Sequence, residues 1–76
     1  MYSIYRNGKL VGSSSDIEYV VEFTKLMVDK AISTEKDSRK LKQLYEDKLT
    51  VNSPKVGINQ LQHILERLGY ELEVAI

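Results

Sequence analysis

Asn7-Gly8 lies between two short runs rich in strand-forming residues, Tyr2-Ser3-Ile4-Tyr5-Arg6 and Lys9-Leu10-Val11, and this feature constrains the fold more than any other. A type I′ turn needs positive φ at both central residues, and Asn-Gly is the pair that adopts it most readily. The expected result is a β-hairpin with strands at 2–6 and 9–13.

The next segment reads as helix. In Ser13-Ser14-Ser15-Asp16, Ser15 and Glu18 have capping-box spacing, each side chain able to accept the other's free backbone N–H. The first helix is expected over 16–32. Its polar positions Glu18, Glu22, Lys25 and Asp29 form one narrow stripe, and apolar residues fill nearly all the rest. That apolar arc is wider than a surface helix usually carries, so cover is expected on two sides. A second helix is expected over 36–49, with Leu41, Leu44, Tyr45 and Leu49 facing inward. Asn52-Ser53-Pro54 and Gly57 mark a turn. A third helix is expected over 59–68, where Ile58, Leu61, Ile64, Leu65 and Leu68 form one stripe. Asn59 with Gln62 is the expected cap, and Gly69 stands where a helix-ending glycine belongs. Tyr70, Leu72, Val74 and Ile76 alternate with Glu71, Glu73 and Ala75, the pattern of a half-buried strand over 70–76.

The element order is ββαααβ. The expected fold class is α+β: a small, mostly antiparallel three-stranded sheet with helices packed on one face. With 76 residues, one domain spans 1–76. Leu61, Leu65 and Leu68 are expected to pack against Val20, Met27, Ile4 and Val74. The chain has no cysteine, so disulfides and thiolate zinc sites are excluded. No apolar run suits a signal peptide or a bilayer span, and the expected location is cytoplasmic.

Chemistry-bearing patterns are sparse. His63 is the single histidine, and its neighbours one helical turn on are Glu66 and Arg67. That setting reads as a solvated helix residue rather than a ligand or base. The serines sit in no nucleophile frame, and Gly8 and Gly12 form no phosphate loop. No catalytic group, cofactor or metal is expected, and the protein is read as a non-enzyme.

Eleven basic and eleven acidic side chains give zero formal charge, unevenly placed. Residues 16–29 hold Asp16, Glu18, Glu22 and Asp29 against Lys25, whereas residues 30–55 hold seven bases against four acids. Lys36, Arg39, Lys40, Lys42, Lys48 and Lys55 form the best case for nucleic acid, around a helix–turn–helix-like stretch. Glu35, Asp37, Glu46 and Asp47 in the same segment oppose it. The wide apolar face of the first helix is the best case for a protein interface, and in a homodimer Tyr19, Phe23, Leu26 and Tyr45 are expected at the two-fold axis.

The tail from Ile58-Asn59-Gln60-Leu61 through Ile64-Leu65-Glu66-Arg67-Leu68-Gly69 to Val74 resembles the last helix and strand of small helix-turn-helix antitoxins and phage-type repressors. The Gln-rich recognition core of those families has no counterpart upstream. The opening Met1-Tyr2-Ser3-Ile4-Tyr5-Arg6-Asn7-Gly8 is similar in style to short phage and prophage proteins. These resemblances imply a small protein that binds a larger host or defence component. The leading expectation is therefore a non-enzymatic protein-interaction module, an inhibitor or regulator of phage or prophage type. The alternative is a helix-turn-helix-like nucleic-acid-binding regulator.

Overall fold

A computed structural model describes residues 1–75. The elements are β1 (Tyr2–Arg6), β2 (Lys9–Ser14), α1 (Ile17–Thr34), α2 (Ser38–Val51), α3 (Ile58–Arg67) and β3 (Glu71–Val74). The class is α+β in the expected order. Asn7 and Gly8 take φ of 52° and 78°, the two positive values a type I′ turn demands. β1 is the central strand of a three-stranded antiparallel sheet ordered β2-β1-β3. Ile4 pairs with Gly12 but Tyr5 pairs with Leu10, so Val11 is the extra residue of a β-bulge. The bulge leaves Leu10 and Val11 both exposed.

The helices cover one face of this sheet. Ile4 and Leu72, opposite one another on β1 and β3, point into the core with Val20, Val28, Val51, Leu61, Ile64, Leu65 and Tyr70. The other face bears Ser3, Ser13, Glu71 and Glu73 alternating with these inward residues, as the strand period requires. α1 touches β2, α2 and α3, which is the two-sided cover its wide apolar arc called for. Thr24 is fully buried within it, its hydroxyl donating to the Val20 carbonyl at 2.7 Å.

Local capping differs from expectation at two helix starts. Asp16, not Ser15, caps α1: its Oδ1 accepts the Glu18 N–H at 3.0 Å, and Ser14 Oγ accepts the Asp16 N–H at 3.0 Å. A carboxylate one residue nearer the helix is the better acceptor, because it also meets the positive end of the helix dipole. At α3 the cap is Gly57, not Asn59. Gln60 Oε1 accepts the Gly57 N–H at 2.9 Å, while Gln62 instead donates to the Leu72 carbonyl at 3.2 Å and ties α3 to β3.

The end of α3 matches expectation. Tyr70 N–H donates to the Leu65 carbonyl at 2.9 Å and Gly69 N–H to the Glu66 carbonyl at 3.0 Å, the two bonds of a Schellman motif. Gly69 sits at φ 92° with open space where a Cβ would go, so only its backbone conformation favours glycine. Gly69→Ala should cost about 1 kcal/mol. A urea midpoint should register that loss, and an unchanged midpoint would show that the left-handed turn is not needed to join α3 to β3.

Two core assignments need correction. Val74 is 46% exposed and does not pack beneath α3. It occupies the last rung of the sheet, opposite Tyr2, which is itself only half-buried, so the helices do not reach over it. Ile76, expected to continue that alternation, lies outside the described residues. The inward seam of α2 is also displaced. Leu44 is buried, but Tyr45 and Leu49 are exposed, and the line pointing inward is Leu44, Asp47 and Val51.

Candidate interaction surface

The connection between the first two helices places the residues that matter. Glu35 to Asp37 join α1 to α2, and Glu35 Oε1 accepts the N–H groups of Lys36 and Asp37 at 3.1 and 3.0 Å. Asp37 Oδ1 then accepts the Arg39 N–H at 2.9 Å and caps α2. This short connection returns α2 antiparallel along α1, so that Asp29 meets Lys48 at 3.2 Å and Val51 comes beside Val21 and Lys25.

The buried side of α2 includes a polar anchor beside Leu44 and Val51. Asp47 is 4% exposed, accepts from Gln43 Nε2 at 3.1 Å, and is ion-paired with Arg67 of α3. An isolated carboxylate would not stay in such a position; Arg67 and Gln43 satisfy it. With Asp47 turned in, Tyr45 and Leu49 are turned out. Nothing in the spacing of single residues announces this. The one partial hint is Val51, two residues beyond the expected end of α2, which falls seven residues after Leu44 and so on the same side.

The four residues expected at a protein interface are thereby divided. Phe23 is half-buried and meets the Tyr70 ring edge-on, centroids 5.3 Å apart. Tyr19 lies 6.5 Å from Phe23, and its hydroxyl fills the space over Gly12 that any Cβ there would occupy. Tyr19 thus leans over β2 while still 37% exposed, and Phe23 packs on Tyr70. Tyr70 in turn receives a hydrogen bond from Arg6 at 3.1 Å and donates to Met27 Sδ at 3.2 Å. Leu26 and Tyr45 remain exposed, at 64% and 54%, and Leu49 joins them at 76%. All three flank the Asp29–Lys48 pair: Leu26 is one turn before Asp29, Tyr45 one turn before Lys48, and Leu49 directly after it. The outcome is three exposed apolar side chains on the outer side of the α1–α2 hairpin, beside one ion pair at its seam. That pair is itself half-exposed and adds little stability.

The six basic residues do not form one surface. Lys36, Arg39, Lys40, Lys42, Lys48 and Lys55 are all exposed. At about 100° per residue, Arg39 and Lys48 stand on opposite sides of α2. Lys48 is held by Asp29, and Lys40 borders the recess beside Asp47 and Arg67. α3, which would be the reading helix of a helix-turn-helix, carries the single base Arg67, and that guanidinium is engaged with Asp47.

His63 is exposed on α3, and among the described residues no three His, Cys, Asp or Glu side chains are grouped to hold a metal. Among those residues no helix is long and apolar enough to cross a membrane. The open recess between α3 and β3 is edged by Glu66, Glu71 and Glu73 and contains no nucleophile–base pair. Compared with protein-family models, with curated proteins and with solved structures, the chain matches none.

Proposed function

We propose that the chain is a non-enzymatic protein-interaction module that binds through the outer face of the α1–α2 hairpin. The observation that carries this reading is the grouping of Leu26, Tyr45 and Leu49, all more than half exposed, around one ion pair on adjacent helices. Scattered apolar residues on a surface need no explanation, but a contiguous group rimmed by charge marks a contact site. Glu22, Lys25, Lys42 and Glu46 supply that charged rim. The chain acts through protein contact at this face, in the cytoplasm, as an inhibitor or regulator of the phage or prophage type that its opening residues resemble. The dispersal of the basic side chains around α2 favours this reading over nucleic-acid binding.

Leu49→Glu tests it. The side chain is exposed, so the variant should keep the wild-type circular dichroism. Wild-type protein immobilised on a resin should retain protein partners that Leu49→Glu loses and that Leu10→Glu, altered on the distant β2 strand, keeps. Equal retention by all three would remove the hairpin face from consideration. Retention of random duplex at about 150 mM salt, weakening steeply as salt rises, would establish the nucleic-acid alternative instead.

A further inference from the structure

We infer that the occupant of this face is a second copy of the chain, related by a two-fold axis running along the helices, so that α1 of each copy lies against α2 of the other. The inference rests on the reading of the hairpin face given above and names its partner.

The two helices of the face carry opposite charge. On α1, Glu18, Glu22 and Asp29 outnumber Lys25 and Lys30. On the same face of α2, with Asp47 turned away toward Arg67, the exposed Lys42 and Lys48 outnumber Glu46. Two antiparallel helix pairs can stack face to face about a two-fold axis in two ways. An axis across the helices sets α1 on α1 and α2 on α2, acid against acid and base against base, which is repulsive. An axis along them sets the acidic α1 of each copy on the basic α2 of the other. The distribution of charge therefore selects the second arrangement, in which the surface is complementary to itself, as a two-fold interface must be.

Levels along the helices agree with the same choice. Rotation about an axis parallel to the helices leaves every residue at its own height. Asp29 and Lys48 stand level, since they are ion-paired at 3.2 Å within one chain. Asp29 of one copy therefore comes level with Lys48 of the other, and the reverse. Leu26 and Leu49, adjacent to those two charges, then close against Leu49 and Leu26 of the second copy. Tyr45 lies at the edge of the same contact. Four large apolar side chains from the two leucine pairs are removed from water, and the ionic pairs sit where they fix orientation rather than supply most of the affinity.

Light scattering with charge-swapped variants decides it. The wild-type mass should rise with concentration from 8.7 kDa toward twice that value, less readily as salt is added. Asp29→Lys and Lys48→Glu should each remain at 8.7 kDa, because every contact between copies then sets like charges together. An equimolar mixture of the two variants should return to the doubled mass. In the mixed pair, the lysine introduced by Asp29→Lys meets the glutamate introduced by Lys48→Glu, and the remaining contact is the natural Asp29–Lys48 one. Circular dichroism confirms that each variant is folded, and Leu49→Glu, with no charge swap, should also be monomeric. A wild-type mass of 8.7 kDa up to the millimolar range overturns the inference, as does a mixture no more dimeric than its components. If the protein is monomeric while Leu49→Glu still abolishes capture of another protein, the second copy is excluded and the docking face stands. If Leu49→Glu alters neither mass nor capture, the face itself is excluded.

Discussion

Leu65→Ala is expected to lower the stability of the folded chain by about 2–5 kcal/mol, the range for truncating a fully buried leucine. Leu65 has no exposed surface and lies in the core with Ile4, Val20, Leu61 and Ile64. Its surroundings cannot collapse easily into the vacated space. The Leu65 carbonyl accepts the Tyr70 N–H at 2.9 Å, so the backbone at that position is pinned to the turn leading into β3. A 76-residue domain has a small reserve, near the low end of the roughly 5–15 kcal/mol of typical proteins, and such a loss takes a large part of it. Urea unfolding followed by circular dichroism measures the effect. Leu68→Ala, at a half-buried position just past the end of the same helix, should cost clearly less. Equal and small effects at both positions would mean that α3 does not pack on the sheet as described.

Arg67→Ala should be the most damaging change of a charged residue, at about 1–3 kcal/mol. The two partners of the ion pair are unequally placed: the Asp47 side chain is 5% exposed and that of Arg67 is 46% exposed. Removing the arginine leaves a buried carboxylate with only the Gln43 amide to satisfy it. Removing the aspartate leaves a guanidinium that can turn to water. Arg67→Ala is therefore expected to destabilise more than Asp47→Ala. Replacing both, as Asp47→Leu with Arg67→Met, should come close to wild type, since exchanging a buried ion pair for packed apolar groups is often neutral. Denaturant midpoints for the three variants check the order. Were Asp47→Ala the costlier single change, the pair would be contributing net attraction rather than mutual satisfaction of a buried charge.

Most of the fold is legible in the sequence because it is set by short-range chemistry. Asn7-Gly8 determines a hairpin through the backbone conformations its two residues permit. The stripe Leu61, Ile64, Leu65 predicts which side of α3 is buried because it repeats at the helical period, and Gly69 ends that helix because it accepts positive φ. Short-range chemistry is less decisive where two local solutions compete. Ser15 and Asp16 both can cap α1, and the sequence alone does not say which acceptor lies closer to the Glu18 N–H. Val74 is a different case: its strand pattern is right, but its rung of the sheet extends beyond the helices.

The candidate interaction surface belongs to the other category. Along α2, tyrosine at 45 and leucine at 49 read as core and aspartate at 47 reads as solvent-exposed, and each single-residue preference is sound. Only when α3 packs alongside does Arg67 come within reach of Asp47, and with that carboxylate satisfied beside the buried Leu44 and Val51, Tyr45 and Leu49 face out. Likewise, the apolar arc of α1 is visible in the sequence, but which part of it stays uncovered depends on Tyr70 taking Phe23 and on Gly12 leaving room for Tyr19. Sequence alone determined the elements, their order and the turn chemistry, because those depend on residues near one another in the chain. The tertiary structure alone decided which apolar side chains remain outside, because helix rotation is set by contacts between residues far apart in sequence.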